Sequence, residues 1–537
     1  MRRFMFIRCT ALVALSSAAK SQCELQELLA SDASAESYLG MSVDVSQNLA
    51  VAGALWESSL GACAGAAYLW ERTESDWIEV AKLAGNDTVA HDAFGASVAL
   101  SGDTVVVGAS WDYVHASRTG AAYVFERSGS LWTQTAKLTP GGVTDPVWFG
   151  ISAAIDGDTI LIGAFKDANG NGAAYVFERY ARGWTQTAKL EASDGAFGDY
   201  FGLSVSISNG VAVVGAPKYD GNNGSAYVFE KALNWAESEK LTPADPTPIQ
   251  VFGYSVAISG QTLVVGAWGD SELFKRAGAA YVFEHNSGLW NQTVKLFAPD
   301  ASPGGTDYFG WSVDIHDDRA LIGAPQDLYG TAYVFERDLS AWAFRSKLIP
   351  LEGVPIFDEF GTSVAIHGEN ALIGNPNDDD GSSDAGSAYL FQVPSFATPY
   401  CFGSGCPCGN DDPAYGCANS TLDDDYDPQG ALLAACGSGS VASDDLVLTL
   451  SHLPLNQFGL FFMGGGQVQL PFGDGFQCVG AGGLGIFRYN PPQNSGSGGT
   501  MTLGPGIVAR SQSFPANGHI DPGETWYFQG WYRAPMG

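Results

Sequence analysis

Most of the chain alternates short β-rich apolar runs with clusters of Gly, Ser, Asn and Asp, a pattern of strands joined by tight turns. The pattern repeats. Its first landmark is Phe-Gly, at Phe94, Phe149, Phe201, Phe252, Phe309 and Phe360, with Leu39-Gly40 as a degenerate first copy. The second is Gly-Ala, at Gly53, Gly108, Gly163, Gly215, Gly266 and Gly323, with Asn375 replacing Ala after Gly374. Glycine to glycine is 13 residues in all seven copies, which predicts two strands around a fixed turn such as Ser101-Gly102-Asp103. A third landmark, Gly-Ala-Ala-Tyr-Val-Phe-Glu at residues 120–126, predicts a third strand. A fourth, Trp-x-x-x-x-Lys-Leu at residues 132–138, predicts the last.

Each repeat is thus a four-stranded antiparallel meander of about 50–57 residues. One such sheet cannot bury both faces, but seven arranged radially can. An open solenoid is the competing arrangement. The seventh copy, ending at residue 392, lacks its fourth strand, and a spare strand stands at residues 23–29. Three strands at one terminus and one at the other complete a blade only if the ends meet. The expected fold is therefore all-β: a seven-bladed β-propeller closed by its N- and C-terminal strands, followed by a small disulfide-containing β-domain.

Phe-Gly followed by Gly-Ala-Pro, intact at Phe201-Gly202 with Gly215-Ala216-Pro217 and at Phe309-Gly310 with Gly323-Ala324-Pro325, resembles the FG-GAP repeat of integrin α-subunit propellers. The resemblance spans residues 22–396. It implies a binding or adhesion module outside the cell. Many repeats of that family carry an Asp-x-Asp-x-Asp-Gly calcium loop between the two landmarks. Here every copy has only a short turn, too small to supply six oxygens, so neither metal nor cofactor is expected from that motif.

Residues 1–21 read as a secretory signal peptide: positive residues 1–3, an apolar stretch at 11–15, and Ala19-Lys20-Ser21 before a cleavage point. The propeller then occupies 22–393, a linker 394–400, and a Cys/Gly-rich, β-sandwich-like domain 401–537. Strand-like runs in that domain fall at 446–450, 458–463, 485–489 and 526–532. Cleavage leaves eight cysteines. Cys401, Cys406, Cys408, Cys417, Cys436 and Cys478 are expected to form disulfides within the last domain, zinc being the alternative for Cys-Pro-Cys. Cys23 and Cys63, at opposite ends of their blades, are not expected to pair. The acidic run Asp423, Asp425, Asp427 reads as a solvated loop rather than a calcium motif.

The net charge of −32 disfavours nucleic acid and anionic membrane surfaces, and no stretch is apolar enough to insert in a membrane. No serine-nucleophile, zinc-protease or phosphate-loop motif is present. His316 and His367 hold equivalent repeat positions. The expected class is a non-enzymatic secreted or cell-surface binding protein, its partner a protein or a glycan. A structural part of the envelope or matrix is the alternative.

Length varies where the loops join strands two to three and four to one; Gly-Ala to Tyr spans 10 to 15 residues. These loops share one face of the ring, and variable loops on a fixed scaffold are where binding is built. The face carries acids four residues after the Gly of Gly-Ala: Glu57, Asp112, Asp167, Asp270, Asp327 and Asp378, with Asp220 one place later. They either close their own loops or form a carboxylate ring that attracts cations or a basic partner. Trp56, Trp111, Trp148 and Trp268 lie in the same loops, as ligand-stacking platforms or as loop packing.

Overall fold

The computed structural model describes residues 7–15, 23–73, 76–114, 117–143, 145–301, 306–327, 330–338, 341–350, 358–393, 397–399, 432–436, 446–451, 453, 456–472, 475–481, 484–496, 501–521 and 526–533. Seven four-stranded antiparallel sheets follow one another along the chain, as in a seven-bladed propeller. Blade 3 shows the plan: Ser152–Asp156, Thr159–Ala164, Ala173–Tyr180 and Gly183–Leu190 pair in sequence order. The second strand is buried at every position, whereas the fourth alternates exposed and half-buried residues. That gradient places the fourth strand outermost.

Blade 7 is assembled differently. Ser363–His367, Asn370–Asn375 and Ser387–Gln392 take Cys23–Leu28 as their fourth strand, next to Ser387–Gln392. Blades 7 and 1 also share a core, in which Leu372 and Leu390 join Val43, Tyr68 and Trp70.

The sequence landmarks have packing causes. Each Phe of Phe-Gly lies across the Tyr and Phe of strand three: Phe149 meets Tyr175 at 5.5 Å and Phe177 at 6.0 Å between ring centroids. The Gly of Gly-Ala is where adjacent blades touch. A Cβ on Gly108 would stand 2.0 Å from the carbonyl oxygen of Gly150. Gly150 itself has φ +90°, a backbone open to glycine and costly for other residues. A serine in strand one completes the joint. Ser97 donates to the Gly150 carbonyl at 2.9 Å and Ser152 to that of Gly202 at 3.0 Å. The same bond runs from Ser363 in blade 7 to Gly40 in blade 1, at 2.6 Å.

The second compact unit is built from residues 1–23, 345–347 and 392–537. A five-stranded sheet runs in the order Ala397–Pro399, Ile7–Leu15, Trp526–Arg533, Phe458–Gly464, Ile486–Asn494. Ile7–Leu15 lies inside the expected leader, and its apolar run suits an inner strand as well as a signal sequence. Leu432–Cys436, Val447–Ser451 and Met501–Leu503 form a three-stranded sheet. Leu448, Leu450, Phe461, Met463, Trp526 and Phe528 fill the core. Cys436 ends one strand and Cys478 lies in Gly475–Gly480. Cys401, Cys406, Cys408, Cys417 and the run 423–427 lie outside the described residues. Cys63 is a free thiol. Among the described residues no helix is long and apolar enough to cross a membrane.

Candidate functional site

The loops joining strands two to three and four to one meet at one end of each blade. There, the Gly opening strand three pairs with the Phe of the next blade, as Gly120 does with Phe149 and Gly172 with Phe201. The residue before each Phe-Gly is held in the left-handed region in all seven blades: Tyr38, Ala93, Trp148, Tyr200, Val251, Tyr308 and Glu359, with φ between 54° and 62°. A non-glycine residue there is strained, and the joint between blades over-determines it. Four of the seven are aromatic: Tyr38 packs on Trp56, Trp148 on Trp111, Tyr308 on Trp268 and Tyr200 on Phe165.

Trp148 meets Trp111 at 5.7 Å and Phe165 at 5.3 Å, and Lys166 Nζ lies 3.8 Å above its ring. Phe165 continues to Tyr200 at 4.9 Å, which Lys218 covers at 4.1 Å. Trp268 packs with Tyr254, Tyr308 and Trp311, and Arg276 lies over it. Trp56 stands edge-on to Tyr38 and is 37 % exposed. Trp111, Trp148 and Trp268 are half-buried. The same loops expose residues that sequence pattern did not single out: Phe197 (83 %), Tyr113 (50 %) and Ile249. A cavity of about 480 Å³ opens among Pro146, Lys166, Gly170, Phe197, Tyr200 and Lys218.

Of the two readings of the loop carboxylates, burial favours the one in which they close their own loops rather than form an exposed acidic ring. Glu57, Asp112, Asp167, Asp270 and Asp378 are buried, Asp327 is half-buried, and only Asp220 is exposed. The strand-three Tyr and strand-four Lys explain why. In blade 2, Tyr123 Oη donates to Asp112 and to Asp87, and Lys137 Nζ lies 2.8 Å from Asp112 and 2.7 Å from Asp87. Burial opposes the ammonium charge of Lys137, but the bonds to Asp112 and Asp87 outweigh it and hold its pKa above the ordinary value. Lys82 pairs with Glu57 and Asp32, Lys189 with Asp167, and Lys295 with Asp270 and Asp245. Tyr333 donates to Asp327 and Asp300. In blade 4, where Asp220 is displaced by one residue, Asp194 alone takes Tyr227 and Lys240. Several acids also close their own loops, as Asp270 does by accepting the Glu272 N–H at 3.0 Å.

At the inner strands, carboxylates sew neighbouring blades together. Asp44 accepts the Leu100 N–H at 2.6 Å, and Asp314 accepts the Ile366 N–H at 2.7 Å. Both keep some solvent contact yet lie deep in the fold. Burial pushes each carboxyl up to about 7, and the Asp44 charge adds to the effect on Asp314. His316 and His367 pack with ring centroids 4.2 Å apart and planes tilted by 52°, beside the strand-one to strand-two turns. Burial, then the neighbouring imidazole, lowers the pKa of His367.

Comparison with protein families agrees with this geometry. The FG-GAP repeat model matches seven times, at residues 23–70, 77–125, 132–177, 184–229, 235–283, 290–335 and 342–391. The chain therefore belongs to the FG-GAP repeat family. Each match begins on, or one residue before, the fourth strand of one blade and ends on the third strand of the next. No curated protein matches the chain significantly.

Proposed function

We propose that this chain is an exported binding or adhesion protein with no catalytic activity. Its seven blades close into a ring, and the face bearing the two-to-three and four-to-one loops engages a protein or glycan outside the cell. One observation carries the reading: Phe197, 83 % exposed, lines a cavity in these loops together with Tyr200, Lys166 and Lys218. Left in water, such surface costs free energy that a partner recovers. Aromatic faces flanked by cations suit sugar rings with polar or acidic substituents, or an acidic protein loop. Closure is supported by the pairing of Cys23–Leu28 in blade 7 and by the Ser363 bond to Gly40. Export is supported by the leader-like sequence pattern of residues 1–21, and it makes disulfides among the clustered cysteines of 401–537 the consistent chemistry.

The test is binding of the purified chain to glycan and protein arrays, followed by titration of each hit. Trp111→Ala/Trp268→Ala and, separately, Phe197→Ala should abolish saturable binding while circular dichroism and the unfolding midpoint stay near wild type. Unchanged affinity in these folded variants, or a partner footprint on the opposite face, would overturn the assignment. Self-assembly without any saturable ligand would favour a structural role instead.

A further inference from the structure

Six strand-four segments place a lysine before their final leucine: Lys82, Lys137, Lys189, Lys240, Lys295 and Lys347. In blade 7 that strand comes from the N-terminus, and the equivalent residue is Glu27. The lysine that neutralises the loop carboxylates in blades 1, 2, 3 and 5 is thus replaced by a further carboxylate. The loop it faces is also the most acidic of the set, with Asp378, Asp379 and Asp380 in succession. One ligand oxygen each from Glu27, Asp378 and Asp380 lie within 4.8 Å of one another.

One further substitution, Asn375, and one acid at a repeat position shared with Asp92, Asp199 and Asp307, Asp358, converge on the cluster. Asn375 stands where the other blades have Ala after the Gly, is 0 % exposed, and donates from Nδ2 to Asp378 Oδ2 at 2.8 Å. Its Oδ1 has no hydrogen-bond partner among the described residues. Asp358, 4 % exposed, is hydrogen-bonded by Asn375 and lies close enough to feel the charges of Asp378, Asp379 and Asp380, and its Oδ2 has no partner among the described residues. Glu27, whose carboxylate is hydrogen-bonded by Tyr389, leaves Oε1 as a third buried oxygen with no partner among the described residues. Meanwhile Asp378 already receives Ser387 at 2.6 Å, Tyr389 at 3.2 Å and the Asp380 N–H at 2.8 Å. Buried acceptors left without donors are costly, and a group of them on carboxylates without a counter-cation is costlier still.

We propose that blade 7 binds one calcium ion between Glu27, Asp378 and Asp380, with Asn375 and Asp358 completing or supporting the oxygen shell. Calcium takes six to eight oxygens at about 2.3–2.6 Å, so opposite ligands stand about 4.8 Å apart, and the three carboxylates fit one coordination sphere as they stand. The site lies at the opposite end of the blade from the short strand-one to strand-two turns. Because Glu27 belongs to the first strand of the propeller and Asp378 to the last blade, the ion fastens the two ends of the repeat array. The lysines do this work with a fixed charge in other blades; here the fastening depends on dissolved calcium.

The experiment uses the full chain, freed of metal with EDTA and titrated with CaCl2. Thermal unfolding and calorimetric titration are followed in parallel. Wild type should bind one calcium per chain and unfold at a higher midpoint when calcium is present. Glu27→Lys rebuilds the arrangement of the other blades. It should lose calcium affinity at least about tenfold and unfold at a midpoint that no longer responds to calcium. Glu27→Gln, which keeps the side-chain shape, should also lose the response, which separates lost ligation from misfolding. No calcium response in wild type up to about 10 mM, well above the affinity range of extracellular modules, would overturn the proposal. So would an undiminished response in Glu27→Lys or Glu27→Gln. None of these readouts involves the loop-face ligand, so the proposal stands or falls apart from that reading.

Discussion

Replacing Lys295 with methionine tests whether the repeated lysine holds the blades together. Lys295 Nζ lies 3.0 Å from Asp270 Oδ2, 2.5 Å from Glu272 and 3.4 Å from Asp245. The Lys295 side chain is 7 % exposed and that of Asp270 is 1 % exposed. Methionine preserves the apolar stem against Tyr281 and Phe297 but removes the charge. Asp270 keeps its bonds from Tyr281, Thr247 and the Glu272 N–H, so its loop stays closed over an uncompensated buried carboxylate. Breaking a buried pair in this way costs about 3–5 kcal/mol, a large share of the ~5–15 kcal/mol typical of a folded domain. Lys231, half-exposed beside Glu178, provides the contrast. Its replacement by methionine should cost no more than about 1 kcal/mol.

Urea denaturation at pH 7 measures both, with the double variant Lys295→Met/Asp270→Asn completing a mutant cycle. The double variant should recover most of the loss, because the stranded charge is gone. The pH dependence has a defined sign. Burial opposes the Lys295 charge, but Glu272 and Asp270 raise its pKa above the ordinary 10.5. Its contribution is therefore complete below pH 10.5 and is lost as pH rises through the higher folded value, so wild type and Lys295→Met should converge there. A deficit below about 1 kcal/mol at pH 7, or no recovery in the double variant, would refute the reasoning.

Three further outcomes follow from other parts of the molecule. Asp44 and Asp314 have carboxyls raised to about 7 from an ordinary 3.8, so their contribution is complete below pH 3.8 and lost as pH rises through 7. Asp44→Asn/Asp314→Asn should flatten that slope in urea titrations between pH 4 and 7.5; an unchanged slope would assign it to other groups. Deleting residues 22–30 exposes the edge of Ser387–Gln392 and should make blade 7 the first site of limited proteolysis, with a lower midpoint for the whole propeller. Ser97→Ala removes the bond to the Gly150 carbonyl while leaving the packing of Gly108 intact. It should cost about 1 kcal/mol in urea denaturation, and a neutral result would show that water replaces the hydroxyl there.

The repeat made much of the architecture legible, because its period is local. Invariant 13-residue spacing fixes a hairpin, and the Phe-Gly, Gly-Ala and Tyr-Val-Phe landmarks recur wherever a blade needs the same contact. The spare strand at residues 23–29 could be assigned to the seventh blade from its spacing to Ser31-Asp32, and Cys23–Leu28 lies there. The loop acids were visible too, but their role was not. A carboxylate in a loop has the same letter whether it faces water or a lysine. Lys137 comes 25 residues after Asp112 and 50 after Asp87, and only the folded blade brings the three together. Phe197 and Tyr113 escaped notice because exposure is a property of the assembled surface.

Sequence alone determined seven four-stranded units, their strand order and the family, since each rests on periodic contacts within about 55 residues. Tertiary structure decided which charges are neutralised. Glu27 and Asp378 stand at opposite ends of the repeat array and carry no motif in common, yet the pairing of Cys23–Leu28 with blade 7 sets them side by side. Charge compensation is a sum over neighbours in space, and at low dielectric a single lysine exchanged for glutamate changes the charge that its neighbours must balance.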